Sequence, residues 1–392
     1  MPLPTRPFIV IQIVWRPGCD VAGRLAEALY DHYRRDHISN VAGGTGLSVM
    51  YRFAPMPGAR TPMEIDLTEA ETTAVVVLMD ETFASDPDYT GYARELTERA
   101  LAAGLGARVF PVALERSALR AVSHDLEAIR WDEWTVTPPE ERLRKLTAAL
   151  TYEFCRMLRH YLALLTHPAQ PAEALTRYLE KVRIFLSHSK HDAHGQTIAH
   201  AIRDSIHQET GLASFFDVLD IPAGLPFTEV LLHYVRVSAV VAIHTDSYSS
   251  REWCRREIIE SKRATTPLVV ANCITDIEER SFPYLGNVPV VRMEPDALHR
   301  IQFIIGRLLD ETFKDFLWRC RIEVARRDGA TGVVFLPRPP ELISLVSVDA
   351  RDETVVYPDP PIGMEEASLF QKVAPTLRLQ SFTEWIAGLP PR

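Results

Sequence analysis

Two near-continuous apolar runs, "IVIQIVW" ending at Trp15 and "TTAVVVLM" beginning at Thr72, constrain the chain more than any other feature. A strand that is apolar on both sides of its pleat leaves no face for water, so it belongs inside a sheet covered on both faces. Through residue 115 such runs alternate with helical patterns: "PFIVIQIVW" (7–15), "DVAGRLAEALYDHYRR" (20–35), "GLSVMYRF" (46–53), "TTAVVVLMD" (72–80), "YARELTERALAAG" (92–104) and "ARVFPVAL" (107–114). That alternation predicts a parallel sheet flanked by helices. "EAIRW" (127–131) reads as a last strand. Pro138-Pro139 then opens a helix carrying Leu143, Leu146, Leu150, Phe154, Met157 and Leu158 on one stripe.

The pattern restarts at Lys181: "KVRIFLSHS" (181–189), a helix over 195–208, "GLASFFDV" (211–218), "VSAVVAIHT" (237–245), a helix from Arg251 to Arg263, "TPLVVANCI" (266–274), "VPVVRM" (288–293) and a long helix over 296–318. "AVVVLMDETFAS" (74–85) parallels "AVVAIHTDSYSS" (239–250), and Leu146 and Leu150 parallel Ile304 and Leu308. An internal duplication of one α/β unit is the simplest account. Beyond residue 325 the chain offers two or three strand-like runs, a short helix from Gly363 to Val373 and prolines at the joints. The expected fold class is α/β, a flavodoxin-like parallel sheet flanked by helices, in two tandem units with a small C-terminal α/β appendage. The expected boundaries are 1–165, a linker at 166–180, 181–322 and 323–392.

At 392 residues the chain has room for two or three cores. The net charge of −9, with bases interleaved among acids, argues against a dedicated nucleic-acid surface. The five cysteines are scattered and never form a C-x-x-C pair, which fits a reducing cytoplasm without structural zinc. No stretch approaches the ~18 apolar residues of a membrane span.

In an open parallel sheet the ligand crevice lies outside the carboxyl ends of the strands, so the strand exits carry the chemistry. Three exits in the second unit are informative: "SHSKHDAHG" (187–195), "FFDVLDIPAGLPF" (215–227) and "HTDSYSSREWCRREI" (244–258). On a helix, Trp253 and Glu257 lie one turn apart on one face. Spacing alone leaves two readings open: a ring walling a cleft beside an inward carboxylate, or a packing residue beside a solvated acid. His188, His191 and His194 near Asp192 raise a metal, but their spacing in a loop fixes no common face, and no metal is expected. Cys254 has no neighbouring base and reads as a packed thiol. "AGGTGLS" (42–48) precedes a strand and reads as a turn.

Over 181–320 the motifs "IFLSHS", "FFDVLDIPAGLPF" and "SYSSREWCRREI" resemble, in order and spacing, the first strand and box, the loop after the second strand, and the third-strand exit and helix of the TIR (Toll/interleukin-1 receptor) domain family. Residues 7–160 resemble a degenerate unit of the same kind. There "WRPGCD" replaces the serine-histidine box, Glu95 matches Glu257, and Gly91 stands where the helix of the second unit has Trp253. The resemblance implies an NAD nucleosidase that hydrolyses or cyclises NAD as substrate, with no cofactor and with Glu257 as catalyst. It implies that Trp253, Ser187, His188, Lys190, Phe215, Asp217 and Leu225 contact the substrate or shape its cleft. One carboxylate beneath an oxocarbenium-like ribose suffices for such a cleavage. A triggered bacterial antiviral effector that forms homo-oligomers, responding to an activating ligand or protein partner, is the function implied. A non-catalytic signalling module and a nucleoside glycosyl-transferring enzyme are the alternatives.

Overall fold

The computed structural model of the chain describes residues 6–34, 46–55, 57–124, 126–135, 137–166, 171–209, 213–215, 226–278, 281–293, 298–346, 348 and 354–388. The chain divides into two units, 2–179 and 180–392, the second also counting Met1.

In the N-terminal unit β1 (Ile9–Trp15), α1 (Asp20–Tyr33), β2 (Ser48–Arg52), β3 (Thr72–Met79), α2 (Glu81–Ser85), α3 (Pro87–Ala102), β4 (Ala107–Ala113), α4 (Pro139–Thr166) and α5 (Pro171–Leu179) follow in order. The strands form a parallel sheet in the order β2-β1-β3-β4. β1 and β3, the two apolar runs, are buried along their whole length. Their hydrogen-bonding groups are satisfied by strands on both sides, so central placement costs the backbone nothing. The "EAIRW" run does not form the expected strand. Ile129 makes a single parallel bridge to Val112, and Trp131–Glu133 turn into a 3-10 helix. Its Arg130 is turned instead to Asp132 at 2.9 Å and Glu133 at 3.0 Å, which hold the tight turn from its side.

The C-terminal unit repeats the plan with β5 (Arg183–Ser187), α6 (Ala193–Glu209), β6 (Ala213–Phe215), α7 (Phe227–Val237), β7 (Ala239–His244), α8 (Glu252–Arg263), β8 (Leu268–Asn272), β9 (Val290–Arg292) and α9 (Ile301–Arg327). Its five parallel strands run β6-β5-β7-β8-β9. This is the flavodoxin-like order, and the N-terminal sheet has its first four places. α4 and α9 bury the parallel residues Leu146, Leu150, Ile304 and Leu308. α7, over a stretch that the sequence reading leaves unassigned beyond Phe227, buries Leu231 and Val235, one turn apart.

Beyond α9 come β10 (Val333–Phe335), α10 (Leu342–Leu345), β11 (Thr354–Tyr357), α11 (Met364–Val373), β12 (Arg378–Ser381) and α12 (Phe382–Ala387). The three strands pair in parallel in the order β10-β11-β12. Trp318 of α9 reaches this module, with ring centroids 5.3 Å from Phe382 and 6.4 Å from Phe335. Among the described residues, no helix is long and apolar enough to cross a membrane.

Candidate functional site at the carboxyl edge of the second sheet

In the C-terminal unit the strand order reverses between β5 and β7, because the chain leaves β5 for β6 on one side and returns to β7 on the other. A crevice at such a switch point is where open α/β sheets hold ligands. Ser187 is the last residue of β5, paired with Ala242 of β7, so its side chain stands at the mouth of this crevice.

From the other side α8 brings Glu257. Its carboxylate is buried, at 7 % exposure, and its Oε2 accepts a hydrogen bond of 2.5 Å from Ser187 Oγ. Ser187 Oγ in turn lies 2.5 Å from the hydroxyl of Tyr248. A serine hydroxyl has one proton, so with Ser187 donating to the carboxylate, Tyr248 donates to Ser187. The order Tyr248 to Ser187 to Glu257 fixes the carboxylate in one rotamer. Burial, and then the neighbouring Cys254 and Glu257, hold the Tyr248 phenol well above its ordinary value, which keeps it a donor. Spending its proton on Glu257 makes Ser187 a support for the carboxylate rather than a nucleophile.

One turn before Glu257, Trp253 is 38 % exposed and stands edge-on to Phe227, with centroids 5.3 Å apart at 89°. Arg256 lies 4.4 Å over the indole, and Lys190 Nζ lies 5.5 Å over the Phe227 ring. These two cation–π contacts flank the aromatic pair. His188 is buried, its Nδ1 3.2 Å from the Leu186 carbonyl. Phe215 ends β6 in register with Phe185, while Asp217 and Leu225 lie outside the described residues.

Beside this pair Asp192 accepts the backbone N–H groups of His194 and Gly195 at 3.0 and 3.2 Å, and its Oδ2 is 3.2 Å from Ser247 Oγ. Burial works to raise its pKa, and the donors Thr245, Gly195, Ser247 and His194 together outweigh it, leaving the carboxyl below its ordinary range. Those amides are the first of α6, so the helix terminus is already capped by the chain itself. His244 Nε2 lies 2.8 Å from Glu278 and 3.2 Å from Ser249 Oγ. Both partners share one nitrogen, whereas a Ser-His-acid relay needs both. Among the described residues no three His, Cys, Asp or Glu side chains converge as metal ligands.

No family model matches the chain, and no curated protein does. Among solved structures, it is similar to the C-terminal domain of glucosamine-fructose-6-phosphate aminotransferase from Francisella tularensis, with 10 % identity, 81 % of this chain and 85 % of that one covered, and a TM-score of 0.19. It is also similar to tagatose-6-phosphate ketose/aldose isomerase from Escherichia coli, with 12 % identity, 84 % and 86 % coverage and a TM-score of 0.20. Neither is a TIR domain. The expectation of TIR membership, and with it that of an NAD nucleosidase acting in antiviral defence, is corrected on this finding, and the signalling-module and nucleoside-transfer alternatives are not better supported. The motifs behind it are short strand-exit segments, and an α/β sheet with polar exits produces such segments without common descent. At these TM-scores no activity passes from either structure to this chain.

Of the residues singled out by sequence, the structure joins Ser187 to Glu257 directly and sets Trp253 one helical turn away. Lys190 reaches the aromatic pair through Phe227. Sequence reasoning missed Tyr248 and placed Phe227 only at the end of a loop, 219–227, that shapes the cleft. An aromatic residue four positions past the end of β7 was the available signal for Tyr248, but nothing local tells a phenol that packs from one that also donates.

Proposed function

We propose that the carboxyl edge of the C-terminal sheet binds a small hydroxylated ring compound of the sugar kind. The observation that carries this reading is the buried Glu257 carboxylate, held by Ser187 and Tyr248 at the strand-order switch point. Burying a carboxylate is costly, and a fold that keeps one at a crevice gains an acceptor fixed in advance for donor groups of a ligand. Ring hydroxyls supply such donors, and the half-exposed indole of Trp253 supplies an apolar wall for a ring face. Lys190 and His188 then form the rim toward α6. Five free cysteines support placing this activity in the reducing cytoplasm.

Titration calorimetry of the full chain with glucose, ribose and inositol tests the proposal. The expected result is saturable binding of at least one of them, weakened about tenfold or more, about 1.4 kcal/mol, by Glu257→Gln and by Trp253→Ala. Absence of binding to all three, or the same affinity in both variants, would overturn it.

A further inference from the structure

A small cleft open to solvent lies at the other end of α8, lined by Lys262, Thr265, Thr266, Arg338, Glu341 and Ser344 among others. Three independent features meet there. Lys262 is buried, with its ammonium 2.6 Å from Glu341 and 2.8 Å from the Gly286 carbonyl. Burial lowers its pKa, partly offset by Glu341. Thr265 has φ 55° and Asn287, next to Gly286, has φ 54°, the two non-glycine residues with positive φ among those described. For a β-branched residue such as Thr265 that conformation is costly, and strain of this kind collects at ligand clamps.

The third feature is charge. Among the described residues Arg338 makes two long contacts, 3.5 Å to the Thr266 carbonyl and 3.8 Å to Glu311. Glu311 is shared with Arg307 at 3.3 Å and Lys314 at 3.8 Å, so one carboxylate serves three cations. Counting Lys262 with its partner Glu341 and Arg319 with Asp315, which lies in the field of Arg338, five bases stand among three acids, and of these Lys262, Arg338 and Glu341 line the cleft itself. Ser261 and Thr266 bond to each other at 2.7 Å, whereas the Thr265 hydroxyl has no hydrogen-bond partner among the described residues and is part-exposed to the cleft. An under-used guanidinium fork beside an available hydroxyl, in a field of excess positive charge, is the chemistry that recognises a tetrahedral oxyanion.

We infer that this cleft is an oxyanion site for inorganic phosphate or a phosphate group, with Arg338 as its principal donor and Thr265 as the second. The site is separate from the Glu257 crevice. The two lie on one helix, Glu257 midway along it toward the crevice and Lys262 next to its last residue.

The test is titration of the full chain with inorganic phosphate and, separately, acetate, at matched ionic strength in chloride. Saturable phosphate binding is expected, tighter than acetate, with affinity lowered at least tenfold in Arg338→Gln and Arg338→Lys and unchanged in Glu257→Gln. Circular dichroism confirms that each variant is folded, and if the glutamine variant is not, the lysine variant decides, since it keeps the charge and loses the fork. No saturable phosphate binding by the wild-type chain, acetate binding as tight as phosphate, or unaltered affinity in the folded Arg338 variant would overturn the assignment. Loss of sugar binding in Glu257→Gln with phosphate binding intact would separate the two sites.

Discussion

The two sheets share a strand order and differ in what stands at the switch point. In the N-terminal unit the exits of β1 and β3 are cross-linked by the chain's own side chains. Arg16 binds Asp86 at 2.9 Å, and Trp15 stacks on Phe53 with centroids 4.5 Å apart at 9°. Tyr89 donates to the Phe53 carbonyl at 2.6 Å, and Asp80 caps α2 by accepting the Phe83 amide at 2.9 Å. Glu95, matched to Glu257 by sequence, is exposed on α3, and Gly91 puts no ring beside it. In the C-terminal unit the matching helix turns its carboxylate inward and leaves an indole half in solvent. A parallel sheet thus supplies the place for a site, and the residues on the helix after the third strand decide whether the place is filled by the fold itself.

The sharpest way to break this comparison is to remove each glutamate. Glu257→Ala should weaken sugar binding about 100-fold, about 2.7 kcal/mol, while Glu95→Ala leaves it unchanged, as read by calorimetry. Equal effects would mean that the two edges are not different in kind. Tyr248→Phe comes next: it takes away the donor to Ser187 deep in the unit, so urea unfolding of the C-terminal unit should lose about 1–2 kcal/mol. A loss confined to binding, with stability intact, would show that the phenol does not support the fold.

For the N-terminal edge the expected effects are on stability alone. Asp80→Ala removes the α2 cap and should cost that unit about 1 kcal/mol with sugar affinity unaltered. The smallest effect concerns Arg16. Its hydrogen bond to Asp86 is the main reason that carboxyl sits below its ordinary range. A depressed folded-state pKa gives stability that is present above the unfolded value, about 3.9 for aspartate, and is lost as pH falls through the folded value. Stability measured from pH 6 to pH 3 should therefore fall more steeply in the wild type than in Arg16→Gln. Parallel curves would remove the bridge from the account of the closed edge.

Much of the architecture is legible from local pattern. The strands β1, β3, β7 and β8 are buried apolar runs, and α4 and α9 carry stripes that any window of a dozen residues reveals. The same reading overran at "EAIRW", where Arg130 pairs with Asp132 and Glu133 and the turn wins over extension. It passed over α7, because a loop with Pro and Gly just before it drew attention from the apolar positions Leu231 and Val235. At the site, Trp253 and Glu257 are one turn apart by spacing, but spacing could not say which of them faces solvent. Short motifs also suggested a family that the comparisons do not support, since strand exits in α/β sheets converge on similar polar residues.

By itself, then, the sequence determined two parallel α/β sheets, their apolar central strands and the long helices that cover them, because hydrophobic periodicity is a local property. Only the tertiary structure decided that Ser187 meets Glu257 across 70 positions and Lys262 meets Glu341 across 79. It alone set Glu257 inward and Glu95 outward. Contacts between polar side chains so far apart leave no periodic trace in the chain, and their partners are chosen by the packing that the apolar pattern brings about.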